Sequence, residues 1–322
     1  MNKKDLKIVF FGTPEFAVES LRAIVENGYN VVGVVTMPDK IAGRGHHLIQ
    51  SAVKQFAVGH DLPVLQPERL KDEEFVETLK SLNADLFVVI AFRMLPEVVW
   101  TMPPLGTFNL HASLLPRYRG AAPINRAVMN GDTKTGVTTF FLQHEIDTGD
   151  IIDRVAIDIL PEDNVGDVHD KLMELGAKLT VKTIDSIVDG TLTTTQQSVL
   201  VGEGEVATPA PKIFKETCRI DWTRPAVEIH NHVRGLSPYP AAWTVISSET
   251  TPPVDLKIFK TTLTDKRTDQ KAGSVVVEKD RMFVACGDGL MIELNEVQPA
   301  GKRRIEVDAY LRGARLFNPV MN

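Results

Sequence analysis

An α/β chain, with a doubly wound, mostly parallel sheet followed by a small OB-like β-barrel, is the fold class this sequence predicts, on three observations. The chain opens on a β-α-β unit: the largely apolar Leu6–Phe11 ends in Gly12, Pro14 opens a helix running to about Asn27, and Asn30–Thr36 supplies a second strand. Asp85–Ala91 is another largely apolar run of strand length, as in a strand buried on both faces of a parallel sheet. After residue 240 the pattern changes to five short strand-like runs separated by turn clusters, which fits a small barrel.

At 322 residues the chain has length for two domains and a sizeable core. An apolar content of 43% with 24% charged residues belongs to a soluble globular protein, and no apolar run nears the roughly 20 residues of a membrane span. Met1–Asp5 leads straight into the first strand, so no secretory leader is read, and Cys218 and Cys286 lack the CxxC spacing of a zinc site. A cytoplasmic protein without metal, membrane or obligate protein partner is expected. The net charge of −6 conceals an asymmetry: residues 1–207 hold 19 Lys+Arg against 28 Asp+Glu, net −9, while the remainder hold 17 against 14, net +3. The C-terminal part is therefore better suited to touch a polyanion.

The turn Gly12-Thr-Pro-Glu-Phe16 is not GxGxxG. Pro14 and Glu15 stand where a dinucleotide's phosphates need bare backbone, which argues against a nicotinamide enzyme. Met37–His47 predicts a polar, Gly-rich loop in which Gly43 and Gly45 let Lys40 and Arg44 follow an irregular anion such as an RNA backbone. His46 and His47 diverge on an extended chain and are not read as metal ligands. Residues 49–59 and 69–82 have helical character, with at most one short strand between them. A helix to about Met102 precedes a strand at Thr107–His111; Ala122–Met129 reads as a helix, and Thr135–Leu142 and Ile151–Ile159 as strands. Asp163–Asp189 is a long amphipathic helix with Val168, Leu172, Leu175 and Leu179 on one stripe.

The polar stretch 190–207 is expected to link a catalytic domain, 1–189, to a second domain, 208–322. There a helix is predicted around Ala226–Leu236 and strands at Ala241–Ile246, Leu256–Leu263, Gly273–Val277, Met282–Ala285 and Leu290–Val297. Lys302–Arg304 adds a basic cluster, and 305–315 reads as helical. His230 and His232, two apart, share no helical face, which argues against a metal site.

The densest chemistry lies in Thr107–Gly120. Alternation along the strand puts Asn109 and His111 on one face and Phe108 and Leu110 on the other, near a carboxyl end stopped by Pro116. An Asn amide and a protonated His side by side can both donate to an oxygen that becomes negative during acyl-type transfer. A carboxylate can orient the imidazole or take the proton lost by an attacking amine; Asp147, in the turn-rich loop Gln143–Asp150, is the candidate.

With these residues in hand, the chain resembles the formyltransferases that use 10-formyltetrahydrofolate, and within them those that formylate the methionine of initiator tRNA. The resemblance covers essentially the whole chain. It is carried by Phe11-Gly-Thr-Pro-Glu-Phe-Ala17, Ala42-Gly-Arg-Gly45, Asn109-Leu-His111-Ala-Ser113-Leu-Leu-Pro116, Arg119-Gly-Ala-Ala-Pro-Ile124, Asp147-Thr-Gly-Asp-Ile151 and Pro299-Ala-Gly-Lys302. It implies that Asn109, His111 and Asp147 are catalytic and that Ser113, Leu114, Leu115 and Pro116 line the tetrahydrofolate pocket. It further implies that Lys40 and Arg44 meet the tRNA acceptor end while the basic barrel holds the tRNA. Two departures stand out: His46 and His47 replace the lysines many members have there, and Phe92-Arg93 replaces Tyr-Gly. The rival within the family is transfer to a small amine such as an amino sugar or nucleotide.

Overall fold

The computed structural model describes residues 2–42, 47–314 and 316–322. These divide into one unit of residues up to 120 with 136–157 and 169–209, and a second of 121–135, 158–168 and the chain from 210.

The chain runs β1 (Lys7–Gly12), α1 (Glu15–Glu26), β2 (Asn30–Val35), β3 (Lys40–Ala42), β4 (His47–Ile49), α2 (Ala52–Val58), β5 (Val64–Leu65), α3 (Glu73–Ser81), β6 (Leu86–Ile90), α4 (Glu97–Trp100) and β7 (Thr107–His111). There follow α5 (Pro123–Met129), β8 (Lys134–Phe141), β9 (Ile151–Asp158), α6 (Val165–Val188) and α7 (Gln197–Gly202). The first unit's sheet has the order β5-β2-β1-β6-β7-β8-β9. Pairing is parallel from β5 to β7 and turns antiparallel between β7 and β8. The central strands are buried on both faces, as their continuous apolar runs require: Ile8–Phe11 and Leu86–Ile90 are at most 3% exposed.

Pro14 caps α1, and Gly28, at φ 78°, takes the left-handed turn that ends it. Val168, Leu172 and Leu179 of α6 are buried, and Leu175 is half-buried. A Cβ on Gly176 would stand 2.7 Å from Leu110 Cδ2, so α6 lies close on the face of β7 opposite Asn109 and His111. The expected Met37–His47 loop contains a two-stranded stem, with Lys40 paired to Ile49 and Ala42 to His47. Its base is fixed because the Lys54 ammonium and the Gln66 amide both bond Asp39 and hold that carboxyl below its usual range.

In the second unit, α8 (Ala226–Arg234) packs with an antiparallel sheet of β10 (Ala242–Ser248), β11 (Thr251–Arg267), β12 (Val275–Glu278), β13 (Arg281–Ala285), β14 (Leu290–Pro299) and β15 (Ile305–Glu306); α9 (Val307–Gly313) and β16 (Val320–Met321) complete it. β11 pairs with β10 over its first half and with β14 along most of its length, and three irregularities against β14 bend it. The sheet curls toward closure: β16 pairs with β10, and Val320 bridges Ser274 just before β12, so the last strand ties both ends together. The sequence predicts a small OB-like barrel; the sheet is a curled antiparallel half-barrel consistent with that fold, with Trp222, Ile229, Val233, Ile258, Met282 and Ile292 in its core.

Two imidazoles lie in that packing. His230 Nδ1 is 2.9 Å from Thr261 Oγ1, and His232 Nε2 is buried without a hydrogen-bond partner among the described residues. Burial, aided by Arg234 at His230 and by Arg224 and Arg126 at His232, pushes both below the ordinary histidine value. The unfolded chain therefore takes up these protons first as the pH falls. Their contribution to stability is intact above about 6.5 and is lost progressively below it. Thermal melts at pH 7.5 and 5.5 are expected to show a drop that the His230→Gln/His232→Gln double variant reduces.

Candidate active site

β7 fixes the first two candidate side chains. Asn109 pairs in register with Val89 of β6 and Phe140 of β8, and Phe108 and Leu110 are buried on the far face. The Asn109 side chain is half-buried, and its amide has no hydrogen-bond partner among the described residues. His111 is 8% exposed, and its Nε2 lies 2.8 Å from the Tyr118 carbonyl oxygen. A carbonyl can only accept, so Nε2 carries hydrogen and Nδ1 is the nitrogen left for chemistry. Nδ1 lies 3.8 Å from Asp147 Oδ2, and that same oxygen accepts the Gly120 backbone N–H at 2.8 Å.

The route by which Asp147 gets there is a consequence of topology. β8 is antiparallel to β7 and pairs Phe141 with Phe108, so the loop after it leaves beside the amino end of β7. To reach His111 it travels back along the strand by three residues, about 10 Å. At its base Phe141 N–H donates to the Asp150 carbonyl at 3.1 Å, and Gly149 passes so close that a Cβ would lie 1.7 Å from the Phe141 oxygen. That approach explains the glycine of Asp147-Thr-Gly149.

The stretch after His111 is built into the protein. Ser113 and Leu115 are fully buried, Pro116 is buried, and Leu114 is half-buried. Ser113 Oγ donates to the Arg117 carbonyl at 2.6 Å, Thr138 Oγ1 donates to the Ser113 carbonyl at 2.6 Å and receives Leu115 N–H at 3.1 Å, and Arg154 donates to the Leu115 carbonyl at 2.9 Å. Ser113 to Pro116 thus shape a wall mainly through their backbone. Arg93 has a structural engagement: its guanidinium donates to the Pro67 and Glu68 carbonyls at 2.5 and 2.7 Å.

Three further residues complete the site, and sequence reading missed them. Thr208 Oγ1 receives Tyr118 N–H at 2.9 Å, steadying the carbonyl that orients His111. Gln197 donates to the carbonyls of Asp147 and Gly149, both at 2.9 Å. Arg154 also pairs with Glu205 at 2.8 Å. These partners are 39 to 90 residues apart in sequence, and no local pattern marks them. Lys40 is exposed on β3. Arg44 and His46 lie outside the described residues. Of the basic cluster, Arg304 is paired with Glu296 and stacked on Phe259 at 4.2 Å, leaving Lys302 and Arg303 exposed.

Gly149→Ala forces the Asp147 loop away from Phe141. It is expected to cost about 1–3 kcal/mol of stability, read by denaturant titration, and to lower turnover more than any exposed Gly→Ala change of similar stability.

The chain matches the family model described as "Formyl transferase" over residues 6–184, and that of the "Formyl transferase, C-terminal domain" over 212–315. It is 57% identical to the methionyl-tRNA formyltransferase of Bacteroides thetaiotaomicron over 98% of both chains. It is 56% identical to that of Bacteroides fragilis, over 98% of this chain and 97% of the relative. Among solved structures, a sugar 3N-formyl transferase determined in the presence of dTDP and 5-N-formyl-THF shares the fold at 20% identity, with a TM-score of 0.66 over 92% of this chain and 99% of its own. A formyl-accepting nucleophile is consistent with an Asn amide, an imidazole and a carboxylate gathered at one strand, and the chain belongs to the formyl transferase family, in the methionyl-tRNA formyltransferase group.

Proposed function

We propose that the protein transfers the formyl group of 10-formyltetrahydrofolate to the α-amino group of methionine on initiator tRNA, yielding formylmethionyl-tRNA and tetrahydrofolate. The observation that carries the site assignment is the fixed orientation of His111, whose Nε2–H is committed to the Tyr118 carbonyl while Nδ1 faces Asp147 beside the unpartnered Asn109 amide. The folate supplies a formyl carbon made electrophilic by its carbonyl. Asn109 donates to the carbonyl oxygen as it gains charge when the amine nitrogen bonds to that carbon. His111, protonated at Nδ1, donates a second hydrogen bond. Asp147 orients the ring and takes the proton that the amine loses; the C–N bond to the folate then breaks, and that proton is passed on to the departing nitrogen, leaving Asp147 ionised again.

Ser113 to Pro116 supply the folate-side wall. Residues 1–189 carry the reacting side chains in this reading, the connecting stretch 190–207 together with Thr208 also braces them, and the rest of 208–322 holds the tRNA, with Lys40 and Arg44 at its acceptor end. No described helix is long and apolar enough to cross a membrane. In this reading the protein acts in the cytoplasm.

Asn109→Ala and His111→Ala are expected to lower turnover at least about tenfold, and up to about 10²–10³, at little cost in fold. Turnover with labelled formyl-folate and Met-charged tRNA, alongside circular dichroism, tests this; near wild-type rates in a folded variant would overturn the assignment. The rate on initiator tRNA should exceed that on elongator tRNA, fall with added salt, and vanish with amino sugars or small nucleotide amines as acceptors. Efficient turnover of a small amine would favour the rival acceptor.

A further inference from the structure

We propose that Gln197 is a positioning residue for Asp147, and that Arg119 fixes Gln197 in the orientation this needs. The inference rests on the reading of Asp147 given above and extends it to a stretch expected only to link two domains.

The Asp147 loop must hold its carboxylate against His111 after travelling away from the end of β8. Asp147 has φ 55°, in the left-handed region that few side chains favour, so its conformation is imposed from outside. Gln197 imposes it. This side chain opens α7, is 3% exposed, and sends its amide nitrogen to the carbonyls of Asp147 and Gly149, bracketing the loop on both sides of Thr148. The assignment of its oxygen and nitrogen is chemically determined. Arg119 Nε and Nη2 approach the other end of the amide at 3.0 and 2.7 Å, and a guanidinium has only donors, so the end it meets is Oε1. Both Gln197 hydrogens are thereby aimed at the loop.

The backbone around this clamp is tied to the same strands. Thr195 and Ile151 exchange hydrogen bonds at 2.9 and 2.8 Å, which fixes the chain two residues before Gln197 to the start of β9. Arg119 lies between Tyr118, whose carbonyl orients His111, and Gly120, whose N–H meets Asp147 Oδ2. One residue therefore adjoins both backbone groups that aim the reacting pair, while its side chain holds the clamp. Gln197 touches no reacting atom; it acts through the loop.

Gln197→Glu is the discriminating variant. It keeps the size and strengthens the pairing with Arg119, but it turns the two donors into an oxygen facing two carbonyls. With Met-tRNA and formyl-folate as substrates, kcat is expected to fall about tenfold while either KM stays within twofold and the melting temperature changes little. In an Asp147→Asn background the same change should cause little further loss, because the group it positions is already disabled. Unchanged kcat in folded Gln197→Glu, or equal losses in both backgrounds, would overturn the clamp while leaving Asp147 in its role. A wild-type rate from Asp147→Asn would overturn both. Should Gln197→Glu fail to fold, Arg119→Lys, which replaces the two-pronged contact with a single ammonium, gives the same reading: reduced kcat at unchanged KM supports the clamp, and unchanged kcat refutes it.

Discussion

A single buried carbonyl, that of Tyr118, governs what the His111 imidazole can do. Since a carbonyl can only accept, it fixes the hydrogen on Nε2, and the ring has one orientation, one neutral tautomer and one nitrogen to offer. Everything nearby serves to hold that carbonyl and the group facing the other nitrogen. Tyr118 itself sits at φ 62°, and Thr208 receives its N–H, so a residue far along the chain secures the strained turn. The proposed chemistry thus depends on second-layer hydrogen bonds as much as on the three side chains that would meet substrate.

The change from parallel to antiparallel pairing at β8 is the second constraint. A parallel β8 would have delivered its following loop to the carboxyl edge directly. Antiparallel pairing delivers it to the opposite edge, and the loop's return requires a bare Gly149 against the Phe141 carbonyl and outside anchors for a backbone that the sheet cannot pair. On the face of β7 away from Asn109 and His111, Gly176 lets α6 approach Leu110, so that face is closely packed.

Much of this was legible in the residues. Apolar runs at Leu6–Phe11 and Asp85–Ala91 located central strands, because burial on both faces leaves no room for alternation. Period-two alternation put Asn109 and His111 on one face, and the five short runs after residue 240 located five barrel strands. What remained hidden was non-local. The stem formed by β3 and β4 escaped because its residues lie amid glycines and polar groups that read as loop. β16 is only two residues long and gains its place by pairing with β10. Gln197, Thr208 and Arg154 act on partners set by the tertiary fold, and a polar side chain in a polar stretch carries no sign of being buried. Lys302–Arg304 read as a cationic patch, yet Arg304 is spent on Glu296 and Phe259 within the fold.

The returning loop has a consequence for how the protein responds to heat. Its carboxylate is held by the Gly120 backbone N–H and its main chain by the Gln197 amide, neither woven into the sheet, so its local opening draws on far fewer interactions than unfolding of the strands beneath it. On warming, this turn is expected to open while the sheet is still intact. In the proposed mechanism, activity and fold would then have different thermal limits, the lower one set by a few bonds around a single turn.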